Sequence, residues 1–411
     1  MPRDGRTNDT YTFDLHLNTP TPKHMTLREE LEILRGEPIQ VWEGDPKDIP
    51  CIETSDPELL CKHPVVSVRM ITYNHEPYIR QAIEGVMMQK TDFEFELVIG
   101  EDCSQDKTRE ICFELQKKYP DKIRVLWWHE NVSKLGGNGR RVSAHCRGEF
   151  IAICEGDDYW IDPLKLQKQV DAFRRHPSVG ICFCGSFIKD AKTGTLTNWD
   201  GSAFTPGVIA SDHFLSYTIF GKNPRMGTGP EGFVMTATLM VRAGVLKLAK
   251  EKYELLRWKL FVGDTSVCAG VGSIADAYFL ADNVSVYAPN GGGSMSKNGV
   301  RVMRDSNLIR LYFAVNSCGL ALKTVPDIIL RRIIFMHWFF LSSSRDRVAV
   351  RRYGLRLGCC FASVHKHLYW RYMMVIAGCR LGIMNRFYRR AAAEIISRLP
   401  QKIIVQGNLV V

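Results

Sequence analysis

From Val65 onward the chain alternates short apolar, β-rich runs with amphipathic helical stretches, and this rhythm restricts the fold more than any other property of the sequence. The run Val65–Tyr73 has the composition of a buried parallel strand. It ends in Asn74-His75-Glu76-Pro77, a turn and helix-start signal. Ile79, Ala82, Ile83, Val86 and Met87 follow at the spacing of a helix with one apolar face. Strand patterns recur at Glu96–Gly100, Ile123–Trp127, Phe150–Cys154 and Val179–Cys184. Helices are predicted between them over Thr108–Tyr119, near Ser143, and over Leu164–His176. Such alternation predicts βαβ units, hence an α/β fold whose mostly parallel sheet is covered by helices on both faces. After residue 190 the rhythm loosens: Thr236–Val241 reads as a strand, Val245–Leu256 as a helix, and the chain beyond 300 as helical.

Ligands of open α/β sheets bind beyond the carboxyl ends of the strands, so the residues that follow each strand carry the chemistry. They are Thr72-Tyr73-Asn74, then Glu101-Asp102-Cys103-Ser104-Gln105-Asp106-Lys107-Thr108, then Asn131 with Gly136-Gly137-Asn138-Gly139, then Glu155-Gly156-Asp157-Asp158. Glu155, Asp157 and Asp158 place three carboxylates within four residues, and they repel one another unless a cation neutralises them. Hard oxygen ligands select Mg²⁺ or Mn²⁺, which keep waters and bind substrate phosphates. The structural alternative is a helix cap, Asp158 or Asp162 ahead of the helix behind Pro163; it accounts for one carboxylate and not for three. Asp102 is placed to accept a hydrogen bond from a base edge, with Ser104 or Asp106 capping the next helix. The glycine run around Gly137 is either a flexible loop or a backbone N–H cradle for a pyrophosphate. It is neither a phosphate-binding P-loop nor a dinucleotide fingerprint, which disfavours an ATPase and a dehydrogenase.

The 411 residues allow one large domain or two ordinary ones, and 45% apolar composition supports a sizeable core. Thirteen cysteines show no paired spacing and sit mostly in apolar runs, which fits core packing in a reducing compartment, the cytoplasm. The N-terminal residues lack the apolar stretch of a secretory signal, and Ile333–Leu341, the longest approach to a membrane span, is far too short for one. The net charge of +10 is unevenly held: residues 301–411 carry 19 Lys+Arg against 4 Asp+Glu, and the remainder 35 against 40. Basic character therefore belongs to the tail, and nucleic acid is not an expected partner. Residues 1–62 read as a separate N-terminal extension with a short helix over Leu27–Leu34, 63–298 as the catalytic domain, and 299–411 as a basic, aromatic-rich helical region.

The stretch from Val65 to Ser296 resembles the family-2 glycosyltransferases of the GT-A fold. The resemblance rests on Val66-Ser67-Val68 with Thr72-Tyr73-Asn74, on Gly100-Glu101-Asp102-Cys103-Ser104 with Asp106-Lys107-Thr108, and on Gly148-Glu149-Phe150 with Glu155-Gly156-Asp157-Asp158-Tyr159-Trp160-Ile161-Asp162-Pro163-Leu164-Lys165-Leu166. It implies a GT-A-like, Rossmann-type mixed sheet. It also implies metal-dependent, inverting transfer of a sugar from a nucleotide-sugar, a UDP-sugar, to a hydroxyl of a saccharide or lipid-linked saccharide, as in polysaccharide biosynthesis. By the same resemblance Thr72, Tyr73 and Asn74 line the uracil and ribose, and Asp102 accepts from the base N3–H. Asp157 and Asp158 serve the metal and the donor's phosphate and ribose, and Asp264 in Gly263-Asp264-Thr265 is the base that takes the acceptor's proton. A helix cap is the alternative role for Asp264. Two departures stand out: Glu155 replaces the first Asp of the family's D-x-D motif, and Asn290 stands where relatives often carry a His. The absence of a Q-x-x-R-W motif favours a single-transfer enzyme over a processive membrane synthase.

Two other functions compete with this one. A nucleotidyltransferase also needs nucleotide and metal, but usually has a basic Gly-rich loop where this chain has Tyr73-Asn74-His75-Glu76. A non-catalytic binding module would not require Asp157, Asp158 and Asp264 together. In the tail, Arg331-Arg332, Arg345, Arg347, Arg351-Arg352 and Arg356 lie among Phe, Trp and Tyr, a composition that suits either an interfacial helix on the inner face of a membrane or a helical cap with a solvated face.

Overall fold

The first predicted strand forms over Val66–Thr72 and becomes the backbone of the sheet, because its Val66, Val68 and Met70 side chains are wholly buried on one face. The computed structural model describes residues 26–317, apart from 36–37, 49, 132–136, 191–192, 200–203, 221–233, 261–262, 289–301 and single positions up to 311, together with 404–405 and 409–410. In chain order the elements are α1 (Leu27–Arg35), β1 (Ile52–Thr54), β2 (Val66–Thr72), α2 (Ile79–Met87), β3 (Phe95–Glu101), α3 (Thr108–Lys118), β4 (Ile123–Trp127), α4 (Asn138–His145) and β5 (Phe150–Ile153). There follow β6 (Tyr159–Trp160), α5 (Lys165–Arg175), β7 (Val179–Lys189), β8 (Leu196–Asn198), β9 (Gly207–Ile209), α6 (Ser211–Phe220), β10 (Met240–Arg242), α7 (Ala243–Lys252), α8 (Asp264–Gly272) and β11 (Asp276–Tyr287).

The main path of the sheet runs β1-β4-β3-β2-β5-β10-β7-β11-β6, with β8 on β7 and β9 on β11. Strands β4, β3, β2 and β5 are parallel, so their carboxyl ends share one edge, as the alternation predicts. Helices α2, α3 and α5 cover one face around Val68, Ile83, Leu115, Val170 and Phe173. Helices α6, α7 and α8 contribute Phe214, Leu246 and Val271 to a second core on the other face, with Phe183, Leu239 and Phe279.

Three expectations change. The strand foreseen over Thr236–Val241 is a 3₁₀ turn (Thr236–Thr238) followed by the short β10, which runs antiparallel to both β5 and β7. Thr238 Oγ donates to Met235 O at 2.7 Å, the side-chain competition that turns a threonine-rich run out of strand geometry. The long β11 was not anticipated, since Asp282 and Asn283 interrupt its apolar pattern and coincide with irregular register against β7. Finally, residue 62 is no structural boundary. Strand β1 joins the sheet beside β4, and Leu31 and Ile39 share a buried cluster with Tyr253, Trp258, Tyr312 and Phe313. That cluster also holds the start of the C-terminal region against the domain; the basic segment from Arg331 to Arg356 lies outside the described residues.

Glu96 on β3 ties this edge together from a position only 1% exposed. It accepts from Ser67 Oγ at 2.6 Å, from Arg124 Nη1 at 3.1 Å and from Arg147 Nε and Nη2 at 2.9 and 2.6 Å. Arg124 in turn grips both oxygens of Glu53 on β1 at 2.8 and 2.9 Å. Removing one partner from a buried charge network costs far more than the network contributes in total. Glu96→Ala is therefore expected to lose about 3–5 kcal/mol of stability, measured by urea denaturation; a loss below about 1 kcal/mol would show that the arginines are solvated instead.

Candidate active site

At the shared carboxyl edge the loops after β2 and β3 are sewn to each other. Asp102 N donates to Thr72 O at 3.1 Å, Asn74 N to Ser104 Oγ at 3.0 Å, Gln105 N to Asn74 Oδ1 at 2.8 Å, His75 N to Thr108 Oγ1 at 2.8 Å and Glu76 N to Asp106 Oδ2 at 3.1 Å. Asn74 and Cys103 hold the turns in the left-handed region, φ 54° and 60°, a conformation asparagine tolerates and cysteine adopts at a cost. Asp106 accepts the Thr108 N–H at the start of α3, so it is the cap, and Ser104 is used on Asn74. The Asn74 side chain is thus engaged within the loop, while Tyr73 faces outward at 40% exposure and Asp102 is fully buried. Asn131 Nδ2 donates to Asp102 O at 3.0 Å, which brings the loop after β4 to the same place.

The acidic turn after β5 docks on this pair through Gly156, whose N–H bonds Ile71 O at 3.0 Å. Only glycine fits there: a Cβ would lie 2.7 Å from Thr72 Oγ1 and 2.9 Å from His75 Nδ1. The three carboxylates that follow strand β5 have different surroundings. Glu155 accepts from Arg69 Nη2 at 2.7 Å, and burial raises its carboxyl above the usual range against the pull of Arg69. Asp158 is 5% exposed and accepts from Ala288 N at 3.3 Å; burial, then Asp157, push it well above the carboxylate range. Asp157 lies 3.9 Å from His75 Nε2, and burial holds that imidazole below its ordinary value. Asp162, not Asp158, caps α5, accepting Leu164 N at 2.8 Å.

Arg69 pairs with one oxygen of Glu155, while its other oxygen, Oε2, is buried without a hydrogen-bond partner among the described residues; no three His, Cys, Asp or Glu side chains gather at ligating distance among them. Asp157 and Asp158 remain, an oxygen-only pair of adjacent carboxylates, one of them buried. Such a pair fits Mg²⁺ or Mn²⁺, which bind through one or two carboxylates and complete their shell with water and phosphate oxygens. Gly137 also has a different setting from the one expected: it is the N-cap of α4, and a Cβ there would meet the Trp42 ring at 3.1 Å, so its open side is filled by the N-terminal segment. Gly136 and Asn290 lie outside the described residues.

Asp264 is the first residue of α8, directly after the N-cap Gly263. Its Oδ2 accepts from Thr236 Oγ1 at 2.9 Å and its Oδ1 from Thr265 N at 2.6 Å. It acts electrostatically on Glu155. With Asp158 and Asp157 it raises the phenol of Tyr287, whose burial is the larger cause. The two acidic groups, over a hundred residues apart in sequence, thus lie close enough to act on the same phenol. Tyr287, Thr236 and Arg69 were missed by sequence reasoning; only the place of Tyr287 at the end of a strand would have signalled it.

The description "Glycosyl transferase family 2" matches residues 67–247. An uncharacterized protein of Mycobacterium tuberculosis is 43% identical over 118 residues, 29% of this chain and 34% of its own. The putative teichuronic acid biosynthesis glycosyltransferase TuaG of Bacillus subtilis is 30% identical over 158 residues, 38% of this chain and 60% of its own. The chain thus spans about a third of the mycobacterial relative's length and three-fifths of the Bacillus one's. Among solved structures, S. aureus TarS 1–349 in complex with UDP-GlcNAc has a TM-score of 0.51 at 17% identity, over 83% of this chain and 95% of that one. At that identity the likeness establishes a shared fold, the GT-A arrangement of a mixed sheet with helices on both faces. Residues 67–247 thus match glycosyl transferase family 2, within a chain that shares the GT-A fold.

Proposed function

We propose that this protein transfers a sugar from a UDP-sugar to a hydroxyl group of a saccharide or lipid-linked saccharide, with inversion at the anomeric carbon. The observation that carries this reading is the docking of the acidic turn, through Gly156, on the sewn loops of Thr72, Tyr73, Asn74 and Asp102, with Asp264 close enough to act on the same Tyr287 phenol as Asp157 and Asp158. Tyr73 and Asp102 hold the base, and Thr72, whose buried Oγ1 has no hydrogen-bond partner among the described residues, meets the nucleotide beside the acidic turn. The UDP-GlcNAc complex of the TarS structure supports a uridine nucleotide for the donor.

In the transfer, the acceptor oxygen forms its bond to the anomeric carbon while its proton passes to the Asp264 carboxylate. The bond from the anomeric carbon to the diphosphate breaks, and the electron pair leaves with the diphosphate. Thr236 and the Thr265 N–H fix the Asp264 carboxylate, one on each oxygen. Asp157 and Asp158 would hold a divalent ion, which would supply positive charge against the departing diphosphate. Asp264→Asn is expected to keep its affinity for UDP and to lose about 10²–10⁴-fold in turnover, measured as sugar transfer or donor hydrolysis. Unchanged turnover would remove Asp264 from this role.

UDP with Mn²⁺ is expected to raise the melting temperature, and EDTA or Asp158→Asn to abolish that rise. A shift by UDP that persists in EDTA would speak for metal-independent binding. Among the described residues no helix is long and apolar enough to cross a membrane. We assign contact with the inner face of the membrane to the basic segment around Arg331–Arg356, close to a lipid-linked acceptor. Vesicles with anionic lipid should pellet the full chain but not a truncation after residue 317, and equal pelleting would reject this assignment.

A further inference from the structure

Arg69 points to the opposite face of β2 from Val68 and Met70, where α4 and α7 pack. It reaches Glu155 with Nη2 at 2.7 Å, and its Nη1 lies 3.1 Å from where a Cβ of Gly139 would stand. The next residue of α4, Arg140, donates to Leu256 O at 3.4 Å and lies over the Trp42 ring at 5.6 Å. Lys259 covers the same ring at 4.6 Å. Trp42 is itself fixed by its backbone N–H, which donates to the backbone carbonyl of Arg257 at 2.8 Å, and its indole gathers Arg140 and Lys259. Lys250, in the last turn of α7, completes the group. Burial holds its ammonium below the ordinary lysine range, and Arg140 and Arg69 press it further down. Arg140 is lowered in the same way by burial and by Arg257.

Arg69 and Arg140 thus act on Lys250, Arg140 and Lys259 share one ring, and among the described residues the carboxylate that pairs with any of these cations is Glu155, on Arg69. Like charges removed from water destabilise one another unless an anion joins them. Phosphate answers this set well: arginine forks donate to two of its oxygens, and a lysine supplies a point charge. Glu155, the partner of Arg69, is also the carboxylate that feels Asp264. We propose that Arg140 and Lys250, backed by Arg69 and with Arg257 at the mouth, bind a phosphate group carried by the acceptor, which makes the acceptor an anionic, phosphate-bearing saccharide or lipid. This inference rests on the transfer reaction proposed above.

Calorimetric titration of the full chain in low salt, with UDP saturating, tests it. The probes are inorganic phosphate, glucose 1-phosphate and dihexanoyl phosphatidic acid below its micellar concentration. Saturable binding is expected in the wild type, weakened at least about tenfold in Lys250→Met and in Arg140→Met, which corresponds to about 1.4 kcal/mol, and largely kept in Lys250→Arg. Preference for the sugar ester or the lipid ester identifies where the phosphate is carried. The melting temperature of Lys250→Met should not fall, because the change removes a desolvated, unpaired cation; a purely structural lysine would lower it. Absence of saturable binding by every probe overturns the site, as does binding by both methionine variants as tight as that of the wild type. Displacement of phosphate by UDP also overturns it, since the cations would then serve the donor. Phosphate binding without any UDP binding leaves the site standing and overturns the donor assignment instead.

Discussion

Strand β2 is hydrogen-bonded in parallel on both sides, to β3 over its whole length and to β5 over Val66–Arg69, and the rest of the site depends on that pairing. Parallel neighbours must all end at one edge, so the pairing forces Thr72, Glu101 and the turn after Ile153 into one row. The backbone then finishes the job without help from a ligand: Asp102 N bonds Thr72 O, and Gly156 N bonds Ile71 O. These bonds set the distance between the loops after β2 and β3 and the acidic turn after β5 to within the slack of a hydrogen bond.

Charge is distributed with the same economy. The carboxylates that hold the sheet, Glu96 and Glu101, are each closed by arginines, Arg124 and Arg147 for the first and Arg109 for the second. Glu155 is paired with Arg69 through one oxygen, and its Oε2 has no hydrogen-bond partner among the described residues. Asp157 and Asp158 have no arginine or lysine partner among the described residues, and Arg140 and Lys250 have no carboxylate partner among them.

Much of this was legible in the sequence because βαβ segments are read through periodicity, which survives without knowledge of neighbours. Strands β2 to β5 and helices α2, α3 and α5 fall within a residue or two of their expected bounds, and so does the common edge. What depended on tertiary pairing was not legible. Nothing local marks Arg69, a mid-strand arginine, as the partner of Glu155 eighty-six residues later. The Trp42 ring filling the space at Gly137 comes from a segment whose Pro- and acid-rich composition suggested a loose extension. Three residues of strand, β10, are too few to produce a period at all.

That short strand has a consequence for how the chain is made. Strand β5 does not touch β7; both lean on β10, which pairs Met240 with Ala152 on one side and with Cys182 on the other. Strands β4, β3, β2 and β5 can assemble from contacts close in sequence, but their open flank at β5 stays bare until residue 242 has been synthesised. Closing it joins segments roughly 60 and 90 residues apart, the kind of long-range contact that slows folding. The interval is one in which the apolar edge Phe150–Ile153 is open to pairing with another nascent chain. The reversed strand that brings α7 and α8 to the site is thereby also the latch of the sheet, and the timing of its arrival is a property of chain order, fixed before any substrate is met.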